Sequence, residues 1–239
     1  ERTEGMNVLE LGISAGGHRC AVRFDMDGGS VSGISMIDGR VAQYNATRFS
    51  GRVFQEHASE KITIKVQSQK VSVSTAQQLI FDWTGNEERL SLSEKESNSP
   101  PLFIAVGPRG AFRITDLTCT PLMNHAEHVA IPFDSSANAS SSATSTNVHG
   151  VGDIFFGTKT YFDSVQTTGR ESQSQSGTED FDTIFNGRDF TGWKFTDATA
   201  KTWSIQNEEL VGAGNAAALV SIDNFREFEL EADVAISGT

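Results

Sequence analysis

Four acidic side chains stand at every second position in Glu227, Glu229, Glu231 and Asp233. A spacing of two is the signature of an extended strand, so these groups face one way. Phe228, Leu230, Ala232, Val234 and Ile236 then face the other. Along one strand face, successive carboxylates stand roughly 7 Å apart, two residues of rise. Carboxylates at that separation suit general acid/base work on glycosides. Glu229 and Glu231 are the central members and the candidate catalytic pair, with Asp233 as a candidate substrate-binding group beside them. The competing reading is a solvated outer face on which like charges are simply tolerated.

Other polar clusters carry weaker signals. His125 and His128 are three apart, a spacing that shares one face of a helix, but they stand just before Pro132 and lack a longer zinc-site pattern. Asp25-Met26-Asp27-Gly28 lacks the full acidic spacing of a calcium loop and reads as a plain turn. No metal ligand is therefore assigned; a divalent cation such as calcium has no clear motif, and the cofactor stays open. No glycine-rich phosphate loop precedes a helix, and no Gly-x-Ser-x-Gly elbow occurs.

The elements that must position the acidic row are strands. Ile62, Ile64 and Val66 alternate with Thr63 and Lys65, Ser68-Gln69-Lys70 breaks the run, and Val71 and Val73 resume it. Leu79 to Trp83 is a further β-rich run ended by Thr84-Gly85-Asn86. His18 to Asp25 and Val31 to Asp38 flank the turn-forming Met26 to Ser30, and Leu102 to Val106 leads through Gly107-Pro108-Arg109-Gly110 to Ala111–Leu117. Short strands without a convincing amphipathic helix indicate an all-β antiparallel sandwich or barrel. Cys20 and Cys119 both fall in such runs, either as a disulfide closing the sandwich or as two buried thiols.

The 239 residues allow one large or two ordinary domains, and 37% hydrophobic residues with 16 Phe suffice for a packed core. A net charge of −12 argues against a nucleic-acid partner, because binding phosphates needs clustered Lys and Arg. No run of about 18 apolar residues is present to span a bilayer. Ser135 to Asn147 contains only Ser, Ala, Thr and Asn, and Glu171 to Thr178 is rich in Ser and Gln, which marks 123–179 as linker. Within it, Val151 to Val165 is an apolar island. The division expected is a sandwich over 1–122 lacking its first strands, the linker, and a second, incomplete β unit over 180–239.

Two resemblances give these units an identity. Ile184-Phe185-Asn186-Gly187-Arg188-Asp189-Phe190-Thr191-Gly192-Trp193 is followed by the strand–turn–strand Trp203 to Gly212 and then by the acidic strand. That order resembles the opening of the 3-keto-disaccharide hydrolase family, a concanavalin-like jelly roll. Residues 1–122 resemble a laminin-G/concanavalin-like module in layout, with Gly110 to Leu117 as its closing strand. Calcium is a frequent ligand of such modules.

The first resemblance implies a carbohydrate partner and a hydrolase of 3-keto-glycosides. Oxidation at C3 acidifies the C2 proton, so a base removes it and the glycosidic group is expelled; water then adds to the enone. Such a route needs a base and an electropositive group for the enolate. The nearby cations, Arg188 and Lys194, read as surface residues, so the enolate stabiliser is unassigned. Concanavalin-like glycosidases place acidic residues on the concave sheet face, in keeping with Glu229 and Glu231. Asn186-Gly187 reads as a turn pair, and Phe185 and Trp193 as anchors on the core; direct stacking of Trp193 on a sugar is the other reading. The resemblance further implies a secreted, periplasmic or cell-surface protein, with 1–122 holding a substrate or a surface. With the second unit incomplete, these 239 residues alone are expected to be inactive. A non-catalytic carbohydrate-binding or adhesion protein of two jelly rolls is the alternative.

Overall fold

The alternating runs fold as strands in the computed structural model, which describes residues 8–92, 102–107, 110–122, 182–196, 203–214 and 216–236. In chain order the first strands are β1 (Leu9–Ala15), β2 (His18–Asp25), β3 (Val31–Ile34), β4 (Met36–Ile37), β5 (Arg40–Val41) and β6 (Phe49–Ser50). Next come β7 (Ser59–Gln67), β8 (Lys70–Thr75), β9 (Leu79–Thr84), β10 (Leu90–Ser91), β11 (Phe103–Val106) and β12 (Ala111–Pro121). The last are β13 (Asp182–Thr183), β14 (Trp193–Phe195), β15 (Trp203–Gln206), β16 (Glu209–Ala213), β17 (Ala216–Ser221) and β18 (Phe228–Ile236). The expected linker 123–179, its apolar island, and His125 and His128 lie outside the described residues.

Two antiparallel sheets make the sandwich. One has the order β14-β17-β11-β1-β2-β3-β6; the other runs β15-β16-β12-β18-β7-β8-β9, with β13 on β12. Both orders interleave the two ends of the chain. The 180–239 region read as a separate unit contributes β14 and β17 to the first sheet, and β13, β15, β16 and β18 to the second. The described residues within 8–122 and 182–236 accordingly form one compact unit, in place of two separate sandwiches. The physical reason lies in β18. It pairs with β12 from Phe112↔Ile236 to Pro121↔Phe228 and with β7 from Ala235↔Ser59 to Phe228↔Val66, so it closes the gap between two strands of the first region. Without it, both would present unpaired edges.

Side-chain alternation fixes how β18 sits. Phe228, Leu230, Ala232, Val234 and Ile236 are all buried in one cluster with Leu9, Leu11 and Ile13 of the facing sheet. Burying a large apolar side chain contributes about 1.5–3 kcal/mol, and a one-residue slip would exchange this set for the carboxylates. Phe54 ties the layers together, its ring centroid 5.6 Å from Phe24 on β2 and 5.4 Å from Phe112 on β12. On β12 the pairing register shifts between Thr115 and Thr118, where Asp116 adopts φ 48. This bulge restores the polar face to Thr118 and Thr120.

Glycine is required where a ring lies on a neighbouring strand. A Cβ on Gly12 would sit 2.0 Å from Phe103 ring carbons, and one on Gly212 2.4 Å from the Trp203 ring. Each aromatic directly opposes its glycine in the ladder. Cys20 and Cys119 are buried on the two sheets, and burial pushes the Cys20 thiol up to about 12. No helix among the described residues is long and apolar enough to cross a membrane.

Candidate active site

The polar side of the eight-stranded sheet gathers the acidic row. Because directly opposed residues share a face, the pairing register reads off its composition. One row across the strands is Thr120, Glu229, Lys65, Ser72 and Asp82. The next is Thr118, Glu231, Thr63 and Ser74, and the third places Asp233 between Thr115 and Lys61. Neighbours within a row stand about 5 Å apart at Cβ, and rows lie about 7 Å apart.

Glu229, Glu231 and Asp233 thus share one face, as the period-two spacing requires. They do not form an unrelieved acidic ladder. Lys65 Nζ lies 2.6 Å from Glu229 Oε2, and Lys61 Nζ lies 3.0 Å from Glu231 Oε2. Thr63 Oγ1 donates to Glu231 Oε1 at 3.4 Å, and the Ser68 backbone N–H donates to Glu227 Oε1 at 3.1 Å. The Glu231 carboxylate beside Lys61 holds that ammonium's pKa above its usual value, with Asp233 and Asp116 adding smaller contributions, so Lys61 stays a cation at neutral pH. Both glutamate side chains remain partly open, 22% and 23% exposed, enough for a solute to reach them.

Lys61 and Lys65 are cations of this face that the sequence alone did not place beside the acidic row. Their strand was legible, but the separation of 168 residues between Thr63 and Glu231 conceals the pairing. The one local signal was the alternation of Lys61, Thr63 and Lys65 with buried Ile62 and Ile64, which marks a polar face awaiting an acidic neighbour. Arg188 and Lys194 stand elsewhere, the first on the 186–192 turn and the second on β14 at the edge of the other sheet.

Trp193 is a core anchor and not a sugar platform. It is 6% exposed, and its indole Nε1–H donates to the Ile184 carbonyl at 2.7 Å, so no ring face is free for stacking. Phe185 is likewise buried. Between them Gly187 adopts φ 70, and Asn186 Oδ1 accepts the backbone N–H groups of Arg188 and Asp189. The Asn186 amide donates to Asp189 Oδ1 at 2.8 Å, and with Thr191 it holds the Asp189 carboxyl down at about 2. The knot is a loop scaffold.

Asp25 is a further perturbed carboxyl, and it is almost fully buried. Desolvation pushes it up to about 6 although Val53 N–H donates to Oδ1 at 2.7 Å and Phe54 N–H to Oδ2 at 3.0 Å. Its partners are backbone amides, so it clasps a loop and offers no geometry for turnover. The residues after it, Asp27 and Gly28, take positive φ and form a turn. Among the described residues no cluster of three or more His, Cys, Asp or Glu is placed to hold a metal ion.

The fold is therefore an all-β sandwich of antiparallel sheets with a paired carboxylate–ammonium face. Residues 180–239 match the sequence model of the 3-keto-alpha-glucoside-1,2-lyase-like domain. That segment carries Glu229, Glu231 and Asp233, and it supports a carbohydrate-related, hydrolase-like function at that coarse level. No curated protein matches the chain.

Proposed function

We propose that this face cleaves 3-keto-glycosides by elimination, with a carbohydrate as its partner. The observation that carries the reading is the Glu229–Lys65 pair at 2.6 Å, its carboxylate on the strand contributed by the matched segment and its ammonium on β7. It supplies the two groups the chemistry requires, a carboxylate base and a cation. Glu229 takes the C2 proton, and the C2–H electron pair flows into the C3 carbonyl as an enolate that Lys65 stabilises. Collapse of the enolate forms C1=C2 and breaks the C1–O bond, and the expelled oxygen takes up the proton. Water adding at C1 of the enone completes a net hydrolysis. Glu231 and Asp233 lie along the same face to bind sugar hydroxyls, Glu231 with its own cation, Lys61.

The strands of 8–122, read as laminin-G/concanavalin-like, serve here as the other half of the same sandwich and supply both lysines. A secreted, periplasmic or cell-surface location goes with this reading. The test is turnover of 3-keto-trehalose or 3-keto-sucrose by the full-length protein that carries these 239 residues, against its Glu229→Gln and Glu231→Gln variants. Glu229→Gln should lower kcat at least 100-fold, in line with loss of a general base, and Glu231→Gln should act mainly on KM. Turnover untouched by both changes removes the face from the mechanism. Saturable binding of a glycan with no turnover of any 3-keto sugar establishes a binding module instead.

A further inference from the structure

Beside the base candidate lies a polar group with nothing to do. Thr120 is 9% exposed, and its buried Oγ1 has no hydrogen-bond partner among the described residues. A buried hydroxyl without a partner is destabilising, so such a group calls for an explanation. Thr120 directly opposes Glu229 across the β12–β18 ladder, on the polar face. Glu229 is thus flanked by a cation on β7 and an idle donor on β12. It leans toward the first.

We propose that Thr120 is a positioning residue that gives the Glu229 carboxylate a second seat. In the free protein Glu229 sits on Lys65; when a substrate oxygen engages Lys65, the carboxylate swings across its own strand onto the Thr120 hydroxyl. The shift exchanges one hydrogen-bonded pair for two, Lys65 with the substrate oxygen and Thr120 with Glu229. It frees the carboxylate from the ammonium when it must accept a proton. This inference rests on the elimination reading above.

The surroundings leave Thr120 as the available seat. From β7 the charged neighbours are Lys65 and, a row away, Lys61, which is held by Glu231. On β18 and just before it stand Glu227, Glu231 and Asp233, which repel Glu229, and Glu227 is occupied by the Ser68 N–H. β12 offers hydroxyls at Thr118 and Thr120, with its charges, Arg113 and Asp116, beyond the register shift.

Two experiments on the full chain decide the matter. In pH profiles with a 3-keto-glycoside, kcat reports the bound complex and kcat/KM the free protein. Thr120→Val should move the acidic limb of the kcat profile to higher pH and lower kcat below the limb on the order of tenfold, while the kcat/KM limb stays put. Thr120→Ser, which keeps the hydroxyl, should restore the wild-type profile. Identical wild-type and Thr120→Val profiles, or a parallel shift of both limbs, overturn the second seat and leave the elimination reading standing. A wild type that turns over no 3-keto-glycoside overturns both. The second experiment needs no turnover: a crystal structure of Lys65→Met should show the Glu229 carboxylate within hydrogen-bond distance of Thr120 Oγ1. Glu229 turned to solvent there refutes the proposal.

Discussion

Asp25 sets two large effects against each other, burial against hydrogen bonding. Two backbone N–H groups, at 2.7 and 3.0 Å, and the nearby Arg52 favour the ionised form. Burial opposes them and prevails, raising the carboxyl from the ordinary 3.8 to about 6. The folded protein therefore binds more protons at this site than the unfolded chain between those values. Stability from this group is fully present below pH 3.8 and is lost as pH rises through about 6. At 1.36 kcal/mol per unit the whole excursion is about 3 kcal/mol, to order of magnitude.

Asp25→Asn removes the titration, so the comparison isolates it from the other carboxylates. Urea unfolding of both proteins at 25 °C and half-unit steps from pH 3.5 to 7.5 should show the wild type losing about 3 kcal/mol relative to the variant over that range. At low pH the variant should be the less stable of the two. Its amide can satisfy one of the Val53 and Phe54 N–H groups through oxygen but turns a donor toward the other. A difference independent of pH, or a wild type that gains on the variant as pH rises, would show that the two amides outweigh desolvation and would refute the reasoning.

Two further substitutions test the sandwich itself. Gly12→Ala forces a methyl into the Phe103 ring and should cost about 1–3 kcal/mol in chemical denaturation, less in a Phe103→Ala background because the clash is then gone. Leu230→Ala on β18 opens a cavity between the sheets and should cost about 2–5 kcal/mol, with residues 8–122 and 180–239 losing structure in one transition by hydrogen exchange. Independent transitions for the two regions would contradict the shared core.

The strands were legible in the sequence wherever burial is one-sided. Ile62, Ile64 and Val66, and Leu230, Ala232 and Val234, alternate because one face meets the opposite sheet, and both segments fold as read. Local turn chemistry was equally plain: Asn186-Gly187 makes its turn, and Asn207 and Glu208, both at positive φ, make the tight hairpin between β15 and β16. β1 escaped notice, although Leu9, Leu11, Ile13 and Ala15 alternate with Glu10, Gly12 and Ser14 and are all buried. Long-range pairing left no trace. The Ser/Ala/Thr-rich stretch after Leu122 looks like a domain boundary, and nothing local says that the chain returns to the same two sheets. The acidic row was therefore visible as a row, while Lys61, Lys65 and Thr120, the groups that decide what it can do, were not.

The pairing that hid the site also makes it precise. Glu229 faces outward between two buried neighbours, Phe228 and Leu230, and its ladder neighbours Lys65 and Thr120 alternate with buried Ile64, Val66 and Cys119. The core thus fixes the register of all three strands, and the register fixes which side chains share a row. Surface ion pairs by themselves contribute little and specify little. Here the order runs the other way, with the apolar faces of β7, β12 and β18 holding the polar residues opposite one another before any salt bridge forms. A carboxylate whose neighbours are set by the core can shift between them without the sheet moving, and that is the property the proposed second seat needs.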